Sequence, residues 1–351
     1  MEIDVIKILL PSAFAFFVGI IMTPFLTDFL YRNKMWKKSS VKQTIDGQAA
    51  TISSKLHNDE ERKTPRMGGV VVWGSTLATA LLFWLFAAIF PSPILSDLNF
   101  LSRGQTWLPL FILIAGALCG LVDDYLVCHD RGTYKGGGLS LSTRLLFVTL
   151  LGLLGAWWFY AKLGMNAVHI PFWGDLSLGI FFIPFFLLFI IGIYSGGIID
   201  GVDGLSGGVF STIYGAYAII AYANGQIDLA AYCAVVVGGL LAFLWFNIPP
   251  ARFFNSETGT MALTTSLVVV AFLTQAVVPL LIIAFLLIAT SASSIIQILS
   301  KRYRGGKKVF LVAPLHNHFQ ALGWPASKVT MRYWVIGMIL AVIGVIVALV
   351  G

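Results

Sequence analysis

The chain has 351 residues, of which 58% are hydrophobic and only 11% are charged, and its formal net charge is +7. So little charge cannot cover the surface of a water-soluble globule of this size, which excludes that class and predicts an integral membrane protein. The basic excess suits membrane lipids with anionic headgroups and phosphorylated substrates. We expect no nucleic-acid partner.

Apolar runs follow one another along the whole chain, and most are close to the roughly 20 residues that cross about 30 Å of hydrocarbon. They occupy residues 8–29, 68–90, 106–122, 142–161, 176–194, 205–222, 228–246, 260–274, 276–298 and 333–350. The first run lacks a basic segment before it and a cleavage pattern after it, so we expect a helix rather than a signal peptide. The sequence therefore predicts one all-α integral membrane domain over residues 1–351, with about ten transmembrane helices.

Basic residues indicate the orientation of these helices, because Lys and Arg in short loops are retained on the cytoplasmic side. With the exception of Lys7, Arg103 and Lys162, every Lys and Arg falls in or next to alternate connections between the apolar runs. The cytoplasmic loops are then 31–67, 123–141, 195–204, 248–259 and 301–330. This orientation places both termini outside and the active site at the cytoplasmic face.

Two adjacent carboxylates, Asp123 and Asp124, follow the third apolar run in the letters LVDDYLV. At a helix C-terminus the helix dipole disfavours negative charge, and neighbouring anions repel each other. We therefore expect a positive group close to this pair. The alternative is that both acids end a helix and face water.

The next cytoplasmic loops carry further acids in glycine-rich surroundings. Asp200 and Asp203 are three residues apart, which places both on one side of a helical turn, and the glycines around them allow a large group to approach the backbone. Asn247 and Glu257 lie in FNIPPARFFNSETGT, just before a helix that we expect to begin near Thr260. A helix-capping carboxylate is the alternative interpretation of Glu257.

Taken together, five acids fall on loops that the topology brings to one face: Asp123, Asp124, Asp200, Asp203 and Glu257. Carboxylates are hard ligands that suit Mg²⁺, and Mg²⁺ suits phosphate chemistry. The last cytoplasmic loop adds Lys307, Lys308, His316 and His318. We expect phosphate or metal-shell contacts from these side chains, because no cysteine here completes a zinc site.

Several of these segments resemble one family, the phospho-N-acetylmuramoyl-pentapeptide transferases (MraY), within the polyprenyl-phosphate N-acetylhexosamine-1-phosphate transferases. TPRMGG is similar to the family's TPTMGG, LVDDYLV to its paired-aspartate segment, and DGVDGLSGG to its DGLDGL segment. KKVFLVAPLHNHFQALGW is similar to the family's KRIFxMAPxHHHFExxGW. This last match favours the muramoyl-pentapeptide branch over the N-acetylglucosamine branch, which remains the alternative.

The chain departs from the family at positions inside these segments. Tyr194 and Gly197 stand where the family has the two asparagines of NAVNLTDGLDGL. Ser256 and Glu257 replace the glycine and aspartate of FMGDTGS, and Asn317 replaces the middle histidine of the family's three. These changes make a divergent or specialised member a further expectation.

The resemblance implies an activity and its partners. It implies transfer of phospho-N-acetylmuramoyl-pentapeptide from its UDP carrier to undecaprenyl phosphate, giving lipid I and UMP, by a multi-pass protein of the bacterial inner membrane. It implies Mg²⁺ as cofactor, with Glu257 and Asp124 as metal ligands. A homodimer is expected by analogy alone.

The resemblance also implies roles for individual residues. Asp123 is expected to act as base or orienter of the lipid phosphate with Asp124 beside it, and His316 and His318 join them as catalytic residues. Because a phosphate monoester titrates at about pH 6, positioning matters more than proton removal. The donor is then expected to contact Lys63, Thr64, Asp200, Asp203, Asn247 and Gln297. For Gln297 a hydrogen bond to a neighbouring helix is the alternative.

Two other classes of protein remain open. A transporter or channel would use acids in a helical bundle as an ion pathway, although no acid falls in the middle of a predicted span. An inactive scaffold for cell-wall enzymes would explain the altered Asp and Asn positions. Formation of a lipid-linked product from a UDP-sugar separates the enzyme from both.

Overall fold

The computed structural model describes residues 2–37, 63–90, 92–132 and 137–351. Its α-helices, in chain order, are α1 (Glu2–Arg32), α2 (Val70–Ile89), α3 (Pro93–Leu98), α4 (Trp107–Cys128), α5 (Leu141–Trp157), α6 (Phe182–Ser195), α7 (Leu205–Ala223), α8 (Ile227–Asn247), α9 (Ser256–Leu273), α10 (Val277–Ile283), α11 (Phe285–Tyr303), α12 (Leu315–Ala321) and α13 (Ala326–Val350). The short strands β1 (Ala167–Ile170) and β2 (Gly174–Ser177) form an antiparallel hairpin between α5 and α6.

The described residues contain nine helices that are long and apolar enough to cross a membrane. They correspond to nine of the predicted apolar runs, so the prediction of an all-α, multi-pass membrane protein is confirmed. The orientation of the helices stays a prediction. Part of the basic segment on which it rests, residues 38–62, lies outside the described residues.

The run at 276–298 differs from the prediction of one straight helix. Its two halves, α10 and α11, meet at an angle of 73°. No proline or glycine stands at the break, and the cause is packing: Ile283 presses against Gly344 of α13, whereas Leu287 presses against Gly196 beyond α6. Each half is fixed to a different neighbour, which a hydropathy pattern does not record.

Helix α9 lies at the centre of the bundle and is almost wholly enclosed by the other helices. Its hydroxyl residues are satisfied inside the apolar interior, because Thr264 and Thr265 donate to carbonyl oxygens one turn earlier in the same helix. Ser266 and Tyr232 of α8 share a hydrogen bond of 2.7 Å, and both also contact the carbonyl oxygen of Pro109 in α4. These buried bonds tie α4, α8 and α9 together.

Glycines bring α4 and α9 into close contact near one end of the bundle. A Cβ atom added at Gly120 would overlap the backbone carbonyl of Glu257, and one added at Gly116 would press on Thr265. Only a residue without a side chain allows the two backbones to approach this closely. The contact places the last turns of α4, which carry Asp123 and Asp124, directly against the first turn of α9.

Candidate active site

Asp123 and Asp124 lie inside helix α4 and are fully buried. The expectation that they fall on a loop after residue 122 is therefore wrong, and so is the alternative that they face water. The helix continues to Cys128 because Val127 and Cys128 are themselves buried against the bundle. The two carboxylates thus sit in a poorly solvated position, where an uncompensated charge is costly and a partner is required.

Arginine side chains supply the expected positive charge. Arg66 places Nε 2.9 Å from Oδ1 of Asp124, and the other oxygen of Asp124 accepts hydrogen bonds from the backbone and hydroxyl of Thr258, at 2.9 and 2.6 Å. Oδ1 of Asp123 accepts from Nε of Arg144 at 3.1 Å and from the backbone N–H of Leu139 at 2.6 Å. The prediction of a positive group beside the pair is confirmed.

Oδ2 of Asp123 is the exception among these carboxylate oxygens. It is buried and forms an ion pair with Nη2 of Arg144 at 3.1 Å, but no described residue donates a hydrogen bond to it. A buried carboxylate oxygen left in this state costs free energy, on the order of 1–3 kcal/mol. It is the one oxygen of the two aspartates that accepts no hydrogen bond from the described residues.

Glu257 approaches the same cluster from α9. The helix begins at Ser256 rather than near Thr260, so Glu257 lies in its first turn. Its Oε1 accepts a hydrogen bond from Nη1 of Arg144 at 2.8 Å, and its Oε2 lies 3.5 Å from the hydroxyl of Tyr194. The carboxylate therefore pairs with side chains of α5 and α6 instead of serving only as a helix cap.

Asp200 connects the beginnings of α7 and α9 on the neighbouring side of the site. Its Oδ1 accepts a hydrogen bond of 2.6 Å from Ser206, and its Oδ2 accepts one of 2.6 Å from the backbone N–H of Ser256. Burial raises the pKa of Asp200, although both hydrogen bonds act in the opposite direction. Asp200 thus anchors the residue that precedes Glu257.

Asn247 and Asp203 clamp the glycine-rich turn at 200–204. Oδ1 of Asn247 accepts from the backbone N–H of Gly204 at 2.9 Å, while its amide donates to the carbonyl oxygen of Phe253 at 2.8 Å. Oδ2 of Asp203 accepts from the backbone N–H of Ala251 at 3.0 Å. Both side chains therefore fix the backbone that surrounds the carboxylate cluster.

Gln297 holds the last loop from inside α11. Its Oε1 accepts from the backbone N–H groups of Val309 and Phe310, each at 3.0 Å, and its Nε2 donates to the carbonyl oxygen of Phe310 at 2.8 Å. All of these bonds run to a loop backbone rather than to another helix. The loop carries Lys307 and Lys308, which are exposed.

The two histidines of α12 occupy different environments. His316 is buried, and its Nε2 lies where a side chain at Gly201 would otherwise stand, so it contacts the turn that contains Asp200 and Asp203. His318 is less buried, and its Nδ1 accepts from the backbone N–H of Leu311 at 3.2 Å. The structure thus brings His316 to the acidic turn and leaves His318 facing its own loop.

The segment that begins with Lys63 and Thr64 reaches the cluster through its backbone. The N–H of Phe254 donates to the carbonyl oxygen of Pro65 at 2.9 Å, and the N–H of Gly68 donates to that of Phe254 at 2.8 Å. This pairing brings Arg66 to Asp124. Lys63 is exposed and Thr64 is half-buried at the outer edge of the segment.

The carboxylate oxygens of the cluster are donors of the kind that bind hard divalent cations, but arginines contact them. Across the described ranges, no three His, Cys, Asp or Glu side chains converge closely enough to hold a metal ion. Both oxygens of Asp124 are taken by protein donors, and Arg144 lies between Asp123 and Glu257. The open Oδ2 of Asp123 and the partly exposed carboxylate of Glu257 are the oxygen atoms that fit a hard divalent cation.

Sequence reasoning missed Arg144, Thr258 and the contact made by Tyr194. Arg144 is 21 residues from Asp123 and 113 from Glu257, so no local spacing connects them. The available signal was the position of Arg144 at the beginning of an apolar run, which is also where an ordinary cytoplasmic flank places arginine. Tyr194 was visible only as a departure from the family pattern.

A first comparison with known proteins concerns the middle of the chain. Residues 106–275, from the beginning of α4 to just past α9, match glycosyl transferase family 4. The matched segment contains Asp123, Asp124, Arg144 and Glu257. The chain is thus similar to this family over the region that carries the carboxylate cluster.

Relatives that match nearly the whole chain identify the family to which it belongs. The phospho-N-acetylmuramoyl-pentapeptide-transferase of Geobacillus sp. (strain WCH70) is 31% identical over 337 residues, which cover 94% of each chain. Relatives of the same name from Anoxybacillus flavithermus and Chloroflexus aggregans are 29% and 30% identical, over 96% and 99% of this chain and 97% and 91% of their own. The chain belongs to the phospho-N-acetylmuramoyl-pentapeptide-transferase family.

Proposed function

We propose that the chain transfers phospho-N-acetylmuramoyl-pentapeptide from its UDP carrier to undecaprenyl phosphate, with lipid I and UMP as products. The donor and the reaction follow the name that its relatives carry over nearly their full length. An oxygen of the lipid phosphate attacks the sugar-linked phosphorus of the donor, and the bond from that phosphorus to UMP breaks. The reaction takes place at the cytoplasmic face of a bacterial inner membrane, by a protein that we expect to form a homodimer.

The observation that carries this proposal is the convergence of Asp123, Arg144 and Glu257 at one end of the bundle. A soluble nucleotide-sugar and a lipid phosphate meet only at a membrane surface, and their negative charges require a compensating site there. Asp123 is the base or orienter of the lipid phosphate, and Arg144, which binds it, offsets the negative charge beside it. Positioning is its main contribution, since the lipid phosphate is largely ionised at neutral pH.

Mg²⁺ is the cofactor of this proposal. Glu257 and Asp123 would hold it, whereas Asp124, which the sequence predicted as a ligand, is already bound at both oxygens by Arg66 and Thr258. A bound Mg²⁺ offsets the charge of the diphosphate. Asp200, Asp203 and Asn247 shape the donor side by holding the turn that His316 contacts.

The last loop and the first cytoplasmic segment complete the donor site. Gln297 acts through the loop backbone that it binds, and this loop presents Lys307 and Lys308 to the solution. Lys63 and Thr64 face the same solution from the segment that pairs with Phe254. These side chains suit the phosphates and the nucleoside of a soluble donor.

Purified protein in neutral detergent tests the proposal. It is mixed with radiolabelled UDP-N-acetylmuramoyl-pentapeptide, undecaprenyl phosphate and Mg²⁺, and lipid-extractable label and UMP are measured. We expect both products in equal amounts. Label in lipid only when UDP-N-acetylglucosamine is the donor would assign the protein to the other branch, and no product from either donor would leave an inactive scaffold.

A further inference from the structure

Arg144 occupies the centre of the carboxylate cluster. Its Nε and Nη2 face Asp123 at 3.1 Å, and its Nη1 lies 2.8 Å from Oε1 of Glu257. One guanidinium therefore bridges two carboxylates from different helices. The side chain is 22% exposed, so the bridge is shielded from water on most sides.

A guanidinium is well suited to this position, because its planar fork presents several N–H groups to two acceptors at once. The arrangement is incomplete, however, since Oδ2 of Asp123 is buried and, among the described residues, has only the ion pair with Arg144 and no hydrogen bond. That orphaned oxygen points to a second occupant of the cluster with a stronger demand for oxygen ligands. A small divalent cation has that demand.

We infer that Arg144 is a displaceable internal cation, which holds Asp123 and Glu257 together in the metal-free protein and leaves Glu257 when a divalent cation binds between the two carboxylates. The inference rests on the metal site of the proposed function. The guanidinium and the metal ion compete for the same oxygens, so each weakens the binding of the other. Arg144 is thus a positioning residue that sets the metal affinity of the site.

Competition between Arg144 and the metal ion predicts the direction in which metal affinity changes when Arg144 is removed. Removal of the guanidinium leaves Asp123 and Glu257 as neighbouring anions, which repel each other and bind a cation more tightly. The metal-free protein should therefore lose stability, while the stabilisation by bound metal should increase. If Arg144 instead oriented Glu257 for the metal, its removal would weaken metal binding.

Mn²⁺ is the probe, because its free concentration is read by electron paramagnetic resonance without any enzymatic turnover. The variants are Arg144→Met, which removes the charge, and Arg144→Lys, which keeps the charge but cannot bridge two carboxylates. Lys162→Met is the matched control, since it removes a positive charge at the opposite end of the same membrane-spanning helix. All proteins are measured in neutral detergent, with thermal unfolding at zero and saturating Mn²⁺ as a second readout.

We expect the Kd for Mn²⁺ to fall about tenfold in Arg144→Met and several-fold in Arg144→Lys, and to stay within about twofold in Lys162→Met. Arg144→Lys is decisive if Arg144→Met does not fold, because a pure effect of net charge leaves its Kd unchanged. Unchanged or weaker binding in both Arg144 variants would overturn the inference, as would equal tightening in Lys162→Met.

The transfer assay separates this inference from the proposed function. A wild-type protein that forms product and binds Mn²⁺, but whose Arg144 variants show no tightening, contradicts displacement alone. Tightening in a protein that forms no product contradicts the proposed reaction alone. Absence of Mn²⁺ binding from every variant overturns the metal site and displacement together.

Discussion

The hydroxyl of Tyr194 lies 3.5 Å from Oε2 of Glu257, while Arg144 holds the other oxygen of the same carboxylate. Tyr194 and Glu257 both depart from the family pattern, which has asparagine and aspartate at these positions. The longer acidic side chain at position 257 thus lies beside a hydroxyl donor on α6. The two departures form one structural unit.

This pairing predicts that the two positions are energetically coupled. Glu257→Asp and Tyr194→Asn should each lower kcat/KM, by roughly tenfold, because each leaves a partner out of reach. The double variant restores the family pair, and we expect its loss to be clearly smaller than the product of the two single losses. Transfer kinetics of the four proteins measure the coupling. Strictly multiplicative losses would show that the two side chains act independently.

The two adjacent aspartates should differ in what they contribute to stability. Asp124→Asn should lower the free energy of unfolding by about 2–3 kcal/mol, because it leaves Arg66 without its anion and places an amide N–H₂ against a Thr258 donor. Asp123→Asn should cost less, since one of its oxygens has no hydrogen bond to lose. Both should reduce turnover by orders of magnitude. Thermal unfolding and single-turnover transfer together give the two effects, and equal stability losses would contradict the assigned contacts.

Gly120 should be intolerant of any side chain. Gly120→Ala introduces a methyl group where the backbone carbonyl of Glu257 lies, so α4 and α9 must separate at a cost of about 1–3 kcal/mol. Gly215→Ala is the matched control, because it is also inside a helix and a Cβ atom there meets nothing within 4 Å. We expect the control to be neutral or slightly stabilised. The measurement is the melting temperature of each variant in detergent. Similar melting temperatures for both variants would disprove the close contact.

Gln297 should act on its loop even without substrate. Gln297→Leu removes three hydrogen bonds to the backbone of Val309 and Phe310, so the loop should open and expose the bonds after Lys307 and Lys308 to trypsin. The measurement is the rate of cleavage at these two lysines in the absence of nucleotide. Gln275→Leu, on the loop between α9 and α10, serves as the control. An unchanged cleavage rate would return Gln297 to a direct contact with the donor.

The fold was largely predictable because hydropathy determines which segments cross a membrane. The break between α10 and α11 at Ala284 was not predictable, because Ile283 and Leu287 each pack against a glycine that is distant in the sequence. Among the site residues, the acids were recognisable by their rarity in an apolar chain. Their partners were not, since an arginine at a helix end has the same appearance whether it faces lipid headgroups or, like Arg144, a buried carboxylate.

The contact at Gly120 also determines which parts of the site are able to move. Because the backbones of α4 and α9 touch there, a slide of one helix by a single residue, about 1.5 Å, would drive the Glu257 carbonyl into the next side chain of α4. We therefore expect the backbones that carry Asp123, Asp124 and Glu257 to move together. We then expect any rearrangement at the site in α5, so that the three carboxylates keep their relative positions while Arg144 changes its contacts.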